Sequence, residues 1–336
     1  MFDHTGCNNV YGFMKKPMAI FSVLVLLVFV LSATPARARD QINVVYASIS
    51  GLFLGCWNAQ EAGYFNRENI DVNLVYMQSA TTAMQSLLSG DASIILAGGE
   101  PVVESNLRGA DTIFIAGISV VPAVLFLALP EIRSVADLRG KPVGVTRFGS
   151  STDSGMRQVL RKNGLEPIRD VPILQFVSGH RALAAALISR QVYAATIAPP
   201  NSLRAEKAGA KLLVDLSKEG IYFPYSSIIS TRSYLRKNRA AATAFLRAYG
   251  DGVKRISDKP FSMTVLKKYM REQDPEILET TYKYAADFIV KVPYQRKEGV
   301  TEILRSSQSP EARSAKAEDF MDESIVRELE QKGMYR

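Results

Sequence analysis

The order of strands and helices predicted for residues 41–97 returns about 100 residues later in the chain. The segment Pro142–Val145 corresponds to Ile42–Val45. The closest match is between Leu87–Ser89 and Leu187–Ser189, each at the end of a predicted helix and before a strand of small residues. We therefore predict two units with one order of elements, although the identities are few and a shared architecture without common origin stays open.

Strands alternate with helices in both units, which is typical of parallel βαβ units with helices on both faces of a sheet. The predicted fold class is therefore α/β. Open α/β sheets bind ligands in the loops that follow the carboxyl ends of their strands. If the two units face each other, those loops line one cleft. The six predicted loops are Ser50–Trp57, Gln78–Thr81, Gly98–Pro101, Gly149–Asp153, Ser178–His180 and Pro199–Asn201.

A hydroxyl-rich turn separates a short strand from a helix within Val143–Leu165. Free N–H groups at a helix start, with hydroxyls beside them, can bind a carboxylate, a sulfonate or a phosphate. Asp153 would repel such an anion unless it turns back to cap the helix or pairs with Arg157, and we expect it to turn back. The alternative is that the turn only caps the helix. The candidate ligand-binding residues of this turn are Ser150, Ser151 and Thr152.

The amino terminus has the features of a secretory signal. Lys15 and Lys16 precede the apolar run Met18–Leu31, and Ala36–Ala38 offers the small residues that a signal peptidase reads. We predict that residues 1–38 are a signal peptide, cleaved near Ala38, and that the mature protein is periplasmic. An uncleaved anchor is the alternative, although the run is short for a membrane span of about 20 residues.

Composition and charge argue against several classes of function. The net charge of +8 is not accompanied by a block of Lys and Arg, so we expect no nucleic-acid partner. After removal of the signal only Cys56 and His180 remain, too few for a disulfide or for a metal site of His and Cys ligands. No Walker loop and no acid/base pair can be identified. We therefore predict no metal, no cofactor and no enzyme.

Three phrases of the mature chain carry a family resemblance. They are the aromatic-x-A-x-E-x-G-Y-F of Trp57–Phe65, the L-L-S-G-D of Leu87–Asp91 and the D-L-R-G-K of Asp137–Lys141. The runs that contain them resemble the extracytoplasmic solute-binding proteins of bacterial ABC importers. They are most similar to the branch that includes nitrate-, sulfonate-, taurine- and thiamine-pyrimidine-precursor-binding proteins, and the resemblance covers nearly the whole mature chain.

The resemblance implies a two-lobe periplasmic-binding-protein fold of type II, in which two crossover strands join the lobes and the ligand lies in the cleft between them. We place the crossovers at Ala123–Leu129 and Ser226–Thr231. Lobe one would then comprise residues 39–129 and 225–336, with the C-terminal helices, and lobe two residues 130–224. The eukaryotic thiamine-pyrimidine synthases that share this fold depend on a cysteine-rich motif that this chain lacks.

Further candidate ligand-binding residues come from the predicted loops. Trp57 could stack on a ligand or only wedge the lobe, and His180 could donate to an anion or be an exposed residue at a helix start. Glu100, if it faces the cleft, argues against a simple inorganic anion, because burying it beside a negative ligand costs several kcal/mol. The remaining candidates are Ser79, Gly99 and Pro200.

The sequence as a whole predicts a periplasmic receptor that delivers a small organic, anion-bearing ligand to an ABC permease of the inner membrane. We expect this receptor to be a monomer. Two alternatives stay open, namely an exported ligand-binding module for a separate sensor and an exported enzyme.

Overall fold

The computed structural model describes Met1, residues 39–220 and residues 222–335. Apart from Met1, the predicted signal peptide lies outside these described residues. From Asp40 onward the chain forms one compact unit. Within the described part of the chain, no helix is both long enough and apolar enough to cross a membrane.

Ten strands within the described residues form two sheets of five strands each. In chain order they are β1 (Asp40–Tyr46), β2 (Ile70–Tyr76), β3 (Ile94–Ala97), β4 (Thr112–Ser119), β5 (Leu125–Ala128), β6 (Val143–Val145), β7 (Ile173–Gln175), β8 (Ala194–Ile197), β9 (Lys211–Asp215) and β10 (Ser226–Thr231).

The two sheets have equivalent topology. The strand order is β2-β1-β3-β10-β4 in the first sheet and β7-β6-β8-β5-β9 in the second. In each sheet three parallel strands are followed by one antiparallel strand, which is β10 in the first and β5 in the second. Corresponding strands begin about 100 residues apart. The predicted repeat and the predicted two-lobe α/β fold are confirmed.

Helices cover both sheets and connect most of the parallel strands. Those in the described residues are α1 (Leu54–Glu61), α2 (Tyr64–Arg67), α3 (Ala80–Ser89), α4 (Glu100–Leu107), α5 (Ser151–Lys162), α6 (His180–Ile188), α7 (Asn201–Lys207), α8 (Arg232–Lys254), α9 (Lys259–Met270), α10 (Pro275–Phe288), α11 (Lys297–Ser306) and α12 (Ser324–Gln331).

Local sequence fixes where helix α3 begins and ends. The Oγ atom of Ser79 accepts the N–H of Thr82, which is a side-chain N-cap. Gly90 ends the helix with φ at 84°, in the left-handed region that residues with a Cβ atom rarely adopt. Met84 and Leu87, three residues apart, are both buried against the core. The helix therefore begins at the carboxyl edge of the first sheet, directly after β2.

The segment Ala123–Leu129, predicted as the crossover that leaves lobe one, contributes β5 to the second sheet. Its backbone pairs with β8 on one side and β9 on the other. The chain therefore crosses between the sheets at residues 120–124, and the predicted boundary at residue 129 lies too late. An apolar run has no feature that tells which of two sheets will pair with it. Strand β10, at the second predicted crossover, pairs with β3 and β4 of the first sheet.

From here on, lobe one means the first sheet with the helices packed on it, and lobe two means the second sheet with α5, α6 and α7. The helices that follow β10 pack on lobe one. Asn58 Nδ2 of α1 donates to Gly252 O of α8 (3.3 Å) and to Ser262 Oγ of α9 (3.1 Å). A Cβ atom on Gly252 would lie 2.0 Å from Gly55 O, so only glycine permits this approach of α8 to α1.

Candidate functional site

A cavity of about 810 Å³ lies between the two lobes, where the parallel strands of both sheets end. Each of the six predicted loops contributes at least one residue to its lining. Helices α3, α5, α6 and α7 all begin at this cavity, so the positive ends of their dipoles point towards it. The prediction of a cleft formed by facing loops is confirmed by this geometry.

The wall that lobe one and its connecting segments contribute is rich in aromatic rings. Tyr46, the last residue of β1, lies 5.7 Å from the ring of Tyr76 and 5.9 Å from that of Phe53, measured between centroids. Tyr225 and Tyr269 also line the cavity. Rings that pack on one another lose little freedom when a ligand binds, so they form a rigid apolar surface.

Trp57 lies behind this wall and does not line the cavity. Its side chain is 0% exposed and stacks on Tyr269, with centroids 4.9 Å apart and ring planes 13° apart. It also meets the edge of Tyr46 at 5.8 Å. The expectation that Trp57 contacts a ligand is therefore wrong for this structure, because Trp57 occupies the buried face of α1. It holds Tyr46 and Tyr269 in position instead.

The three residues of lobe two predicted to bind through their hydroxyl groups line the cavity, but these groups form hydrogen bonds with other protein atoms. Ser150 Oγ donates to Arg147 O (2.7 Å), and it also lies 2.9 Å from Thr152 Oγ1. Thr152 Oγ1 accepts the backbone N–H of Thr146 (3.0 Å). Ser151 Oγ instead donates to Glu100 Oε2 of lobe one. The groups of this turn that remain for a ligand are therefore the first backbone N–H groups of α5.

Asp153 takes the turned-back position that the sequence predicted. Its carboxylate accepts the Gly149 N–H at 3.0 Å and the Arg157 Nε at 2.7 Å. Burial raises the pKa of Asp153, while these two contacts favour the charged form. The carboxylate is thus held by Gly149 and Arg157 and lies outside the lining of the cavity, whereas Ser151 and Thr152 at the start of α5 line it.

Glu100 and Gly99, both predicted as ligand-binding residues, lie outside the lining of the cavity. Glu100 is 5% exposed, and its Oε2 accepts a hydrogen bond from Ser151 Oγ of lobe two at 3.1 Å. Burial raises the pKa of Glu100 to about 8, although the hydrogen bond from Ser151 favours the charged form. Gly99 packs against Pro224, whose Cγ atom would lie 2.6 Å from an added Cβ atom.

His180 lines the cavity at the start of α6, as predicted. Its Nδ1 accepts the backbone N–H of Ala198 at 3.5 Å, and burial lowers the pKa of His180 to about 4. The imidazole is therefore neutral at pH 7 and carries its proton on Nε2, which makes it a donor rather than a cation. Ser79 and Pro200, the last two predicted residues, also line the cavity.

The charged residues of the lining were not among those predicted from the sequence. Arg181 comes from lobe two, and Arg271 follows α9 on the side of lobe one. Arg204 pairs with Glu272 across the cleft and donates to Asn201 Oδ1 at 3.0 Å. Three arginines against one glutamate give the described lining a positive charge. Only Arg181, next to the predicted His180, had a signal in the sequence; the others depend on tertiary contacts.

Features expected of a metal or thiol centre are not found in the described residues. No group of three or more His, Cys, Asp and Glu side chains is arranged to hold a metal ion in this part of the chain. Cys56 is buried beneath the aromatic wall, and burial raises the pKa of its thiol. A buried neutral thiol is a poor nucleophile.

Comparison with known proteins agrees with this architecture. The family described as NMT1/THI5 like matches residues 52–262. YtlA of Bacillus subtilis (strain 168), described as a candidate binding protein, is 23% identical over 265 residues, which cover 76% of this chain and 79% of YtlA. The formylaminopyrimidine-binding protein of Halalkalibacterium halodurans is 29% identical over 139 residues, which cover 38% of this chain and 42% of that protein.

Among solved structures, the alkanesulfonate-binding protein SsuA of Xanthomonas axonopodis pv. citri, bound to MOPS, superimposes with a TM-score of 0.69. The two proteins are 19% identical, and the match covers 87% of this chain and 98% of SsuA. At this identity the likeness shows the shared fold. The predicted class, a solute-binding receptor of ABC importers, is confirmed by the family and these relatives, and the chain belongs to the NMT1/THI5-like family.

Proposed function

We propose that this protein binds a small organic molecule with an acidic group in the cleft between its lobes and delivers it to an ABC permease. The observation that carries the proposal is the electrostatic character of the cleft. Four helices begin at the cavity, and its lining contains Arg181, Arg204 and Arg271 against the single acid Glu272. Helix starts and guanidinium groups both favour negative charge.

The size and the aromatic wall of the cavity support an organic ligand rather than an inorganic anion. A volume of about 810 Å³ lies within the range usual for sites of small organic molecules. A bare inorganic anion would leave the rings of Tyr46 and Tyr76 without contacts to the ligand. A molecule with an apolar or flat body would cover them, while its acidic group lies at the helix starts of lobe two.

The ligands named for two relatives each show a part of this chemistry, a flat ring in one and an organic acid in the other. One has a formylaminopyrimidine as its named ligand, and SsuA holds MOPS, an organic sulfonate. We propose that the present protein likewise binds its ligand without converting it, because the relatives are binding proteins and Cys56 is buried away from the cavity. We further propose a periplasmic monomer, released by cleavage near Ala38, that docks on a permease of the inner membrane.

Native mass spectrometry of the protein, purified from the organism that naturally expresses it, tests the proposal. We expect a complex heavier than the mature chain by the mass of one small organic acid, released on denaturation and identified by its fragments. Isothermal titration calorimetry with that acid should then give one site per chain. A bound molecule that is cationic, or that is chemically changed on incubation with the protein, would contradict the proposal.

A further inference from the structure

Beyond the cavity, one contact joins the lobes through a buried carboxyl group. Glu100 begins α4 in lobe one, and Ser151 begins α5 in lobe two. Ser151 Oγ donates to Glu100 Oε2 at 3.1 Å. The other carboxyl oxygen, Oε1, is buried and has no hydrogen-bond partner among the described residues. The contact is thus a lobe-to-lobe bond with one unused polar atom, which needs an explanation.

The lobes meet at this point without spare room. A Cβ atom on Gly98 would lie 1.9 Å from Ser151 Oγ and 3.3 Å from Ser151 Cβ. Any larger residue at position 98 would have to displace the Ser151 hydroxyl from Glu100. The absence of a side chain on Gly98 is therefore what allows the two helix starts to come together.

The surroundings of Glu100 do not favour a negative charge. Burial and the nearby carboxylate of Asp153 both disfavour the charged form, and they outweigh the hydroxyl groups of Ser151 and Ser154, which favour it. Tyr225, from the segment that connects the lobes, also lies close to Glu100. The one arginine of α5 near this point, Arg157, is bound to Asp153. An ionised Glu100 would be a buried charge without a cation, which costs several kcal/mol.

We propose that the Glu100–Ser151 contact is a latch that forms when the lobes close, with the Glu100 carboxyl neutral, so that closure takes up one proton near neutral pH. In the open protein Glu100 faces water and ionises as an ordinary glutamate. In the closed protein the protonated carboxyl is buried beside Ser151 without the cost of an unpaired charge. This inference goes beyond the proposed function, and its test does not require the ligand to be known.

The direction of the pH effect follows from the raised pKa. Because burial raises the pKa of Glu100 to about 8 in the closed form, closure is favoured at low pH and loses this contribution as the pH rises through 8. His180 acts in the opposite direction, since its pKa is lowered to about 4 from 6.5, but above pH 6.5 its remaining effect on the ratio is only about twofold. Burial raises the pKa of Tyr225 above its ordinary alkaline value.

The salt bridges that also join the lobes titrate outside this window. Arg204 binds Glu272, and Lys207 binds Asp274 and Glu276. Hydrogen bonds from backbone N–H groups lower the pKa of Glu272, despite its burial, and that of Asp274. Both carboxylates are therefore ionised throughout the neutral range. Among these groups, the response between pH 6.5 and pH 8.5 belongs to Glu100.

Distance measurements between spin labels test the latch in the protein without added ligand. Leu88 and Ile188 occupy matching positions of the repeat, are about half exposed, and lie on different lobes. Labels on Leu88→Cys and Ile188→Cys report closed and open populations by double electron–electron resonance. Cys56 stays unlabelled because it is buried, and Cys7, in the predicted signal peptide, is replaced by Ser in case the signal is retained. We expect the closed-to-open ratio to fall roughly 10-fold between pH 6.5 and pH 8.5.

Two variants on the same helix separate the latch from a general effect of pH. Glu100→Gln keeps a neutral acceptor for Ser151 and should hold the low-pH ratio at both pH values. Glu104→Gln, whose carboxylate accepts Ser307 Oγ within lobe one, should respond as the unchanged protein does. An unchanged ratio in the parent protein, or a Glu100→Gln variant that responds as strongly as the parent, overturns the proposal.

Discussion

The two walls of the cleft differ in chemistry although they stand on equivalent sheets. Lobe one ends β1 with Tyr46, and the corresponding strand β6 is followed by Thr146, which also lines the cavity. Ser79 caps α3 with its side chain, whereas Gly179 precedes α6 without one. The repeated strand order thus supplies one scaffold twice, and the loops make one wall aromatic and the other polar.

This difference suggests that the two walls bind different parts of the ligand. The rings of lobe one are fixed by packing, since Tyr46 contacts Phe53, Trp57 and Tyr76. Lobe two offers helix starts and the neutral donor His180, which suit an acidic group. We therefore expect the body of the ligand on lobe one and its acidic group on lobe two, with Arg181 beside it.

Loss of one ring from the aromatic wall should have the largest effect on binding. Tyr76→Ala is expected to weaken binding of the co-purified molecule by about 2 kcal/mol, because apolar contact area is lost. Tyr76 is 38% exposed, so the melting temperature should change little. Tyr222→Ala is the matched control, since Tyr222 is similarly exposed but lies outside the cavity lining. Equal affinities of the two variants, measured by calorimetry, would show that the aromatic wall does not contribute to binding.

Loss of a cation from the polar wall should have a smaller, salt-dependent effect. Arg181→Gln is expected to weaken binding by about 1 kcal/mol at low ionic strength and by less in high salt, because Arg181 is exposed and its charge is screened. Arg190→Gln, two residues beyond the other end of α6, is the control, since Arg190 pairs with Glu131 instead. Titrations at two salt concentrations distinguish the variants. Loss of affinity in Arg181→Gln that does not depend on salt would argue against a charge interaction.

The smallest effect on binding is expected from Ser150→Ala. The Ser150 hydroxyl bonds to Arg147 O and to the hydroxyl of Thr152, all within lobe two. Its removal should lower the free energy of unfolding by about 1 kcal/mol and change the binding free energy by less than about 0.5 kcal/mol. Denaturant unfolding and calorimetry measure both quantities. The opposite result, a stable variant with weak binding, would show that the Ser150 hydroxyl contacts the ligand.

The sequence predicted the fold and the loops of the site better than the individual contacts. Periodicity and capping residues such as Ser79 and Gly90 define elements locally, and parallel strands bring their following loops to one edge. The contacts of Trp57 depend on which face of α1 meets Tyr269, a residue far along the chain. The same limit applies to Arg204 and Glu272, which meet only because the lobes face each other. Neither pairing leaves a local pattern in the sequence.

A crystal structure of the protein with its co-purified molecule tests the division of the cleft most directly. We expect an acidic group within hydrogen-bond distance of the first N–H groups of α5 or α6, near Arg181, and a body that covers the rings of Tyr46 and Tyr76. A molecule without negative charge, or one whose acidic group lies on the tyrosine wall while the helix starts of lobe two contact only solvent, would contradict it.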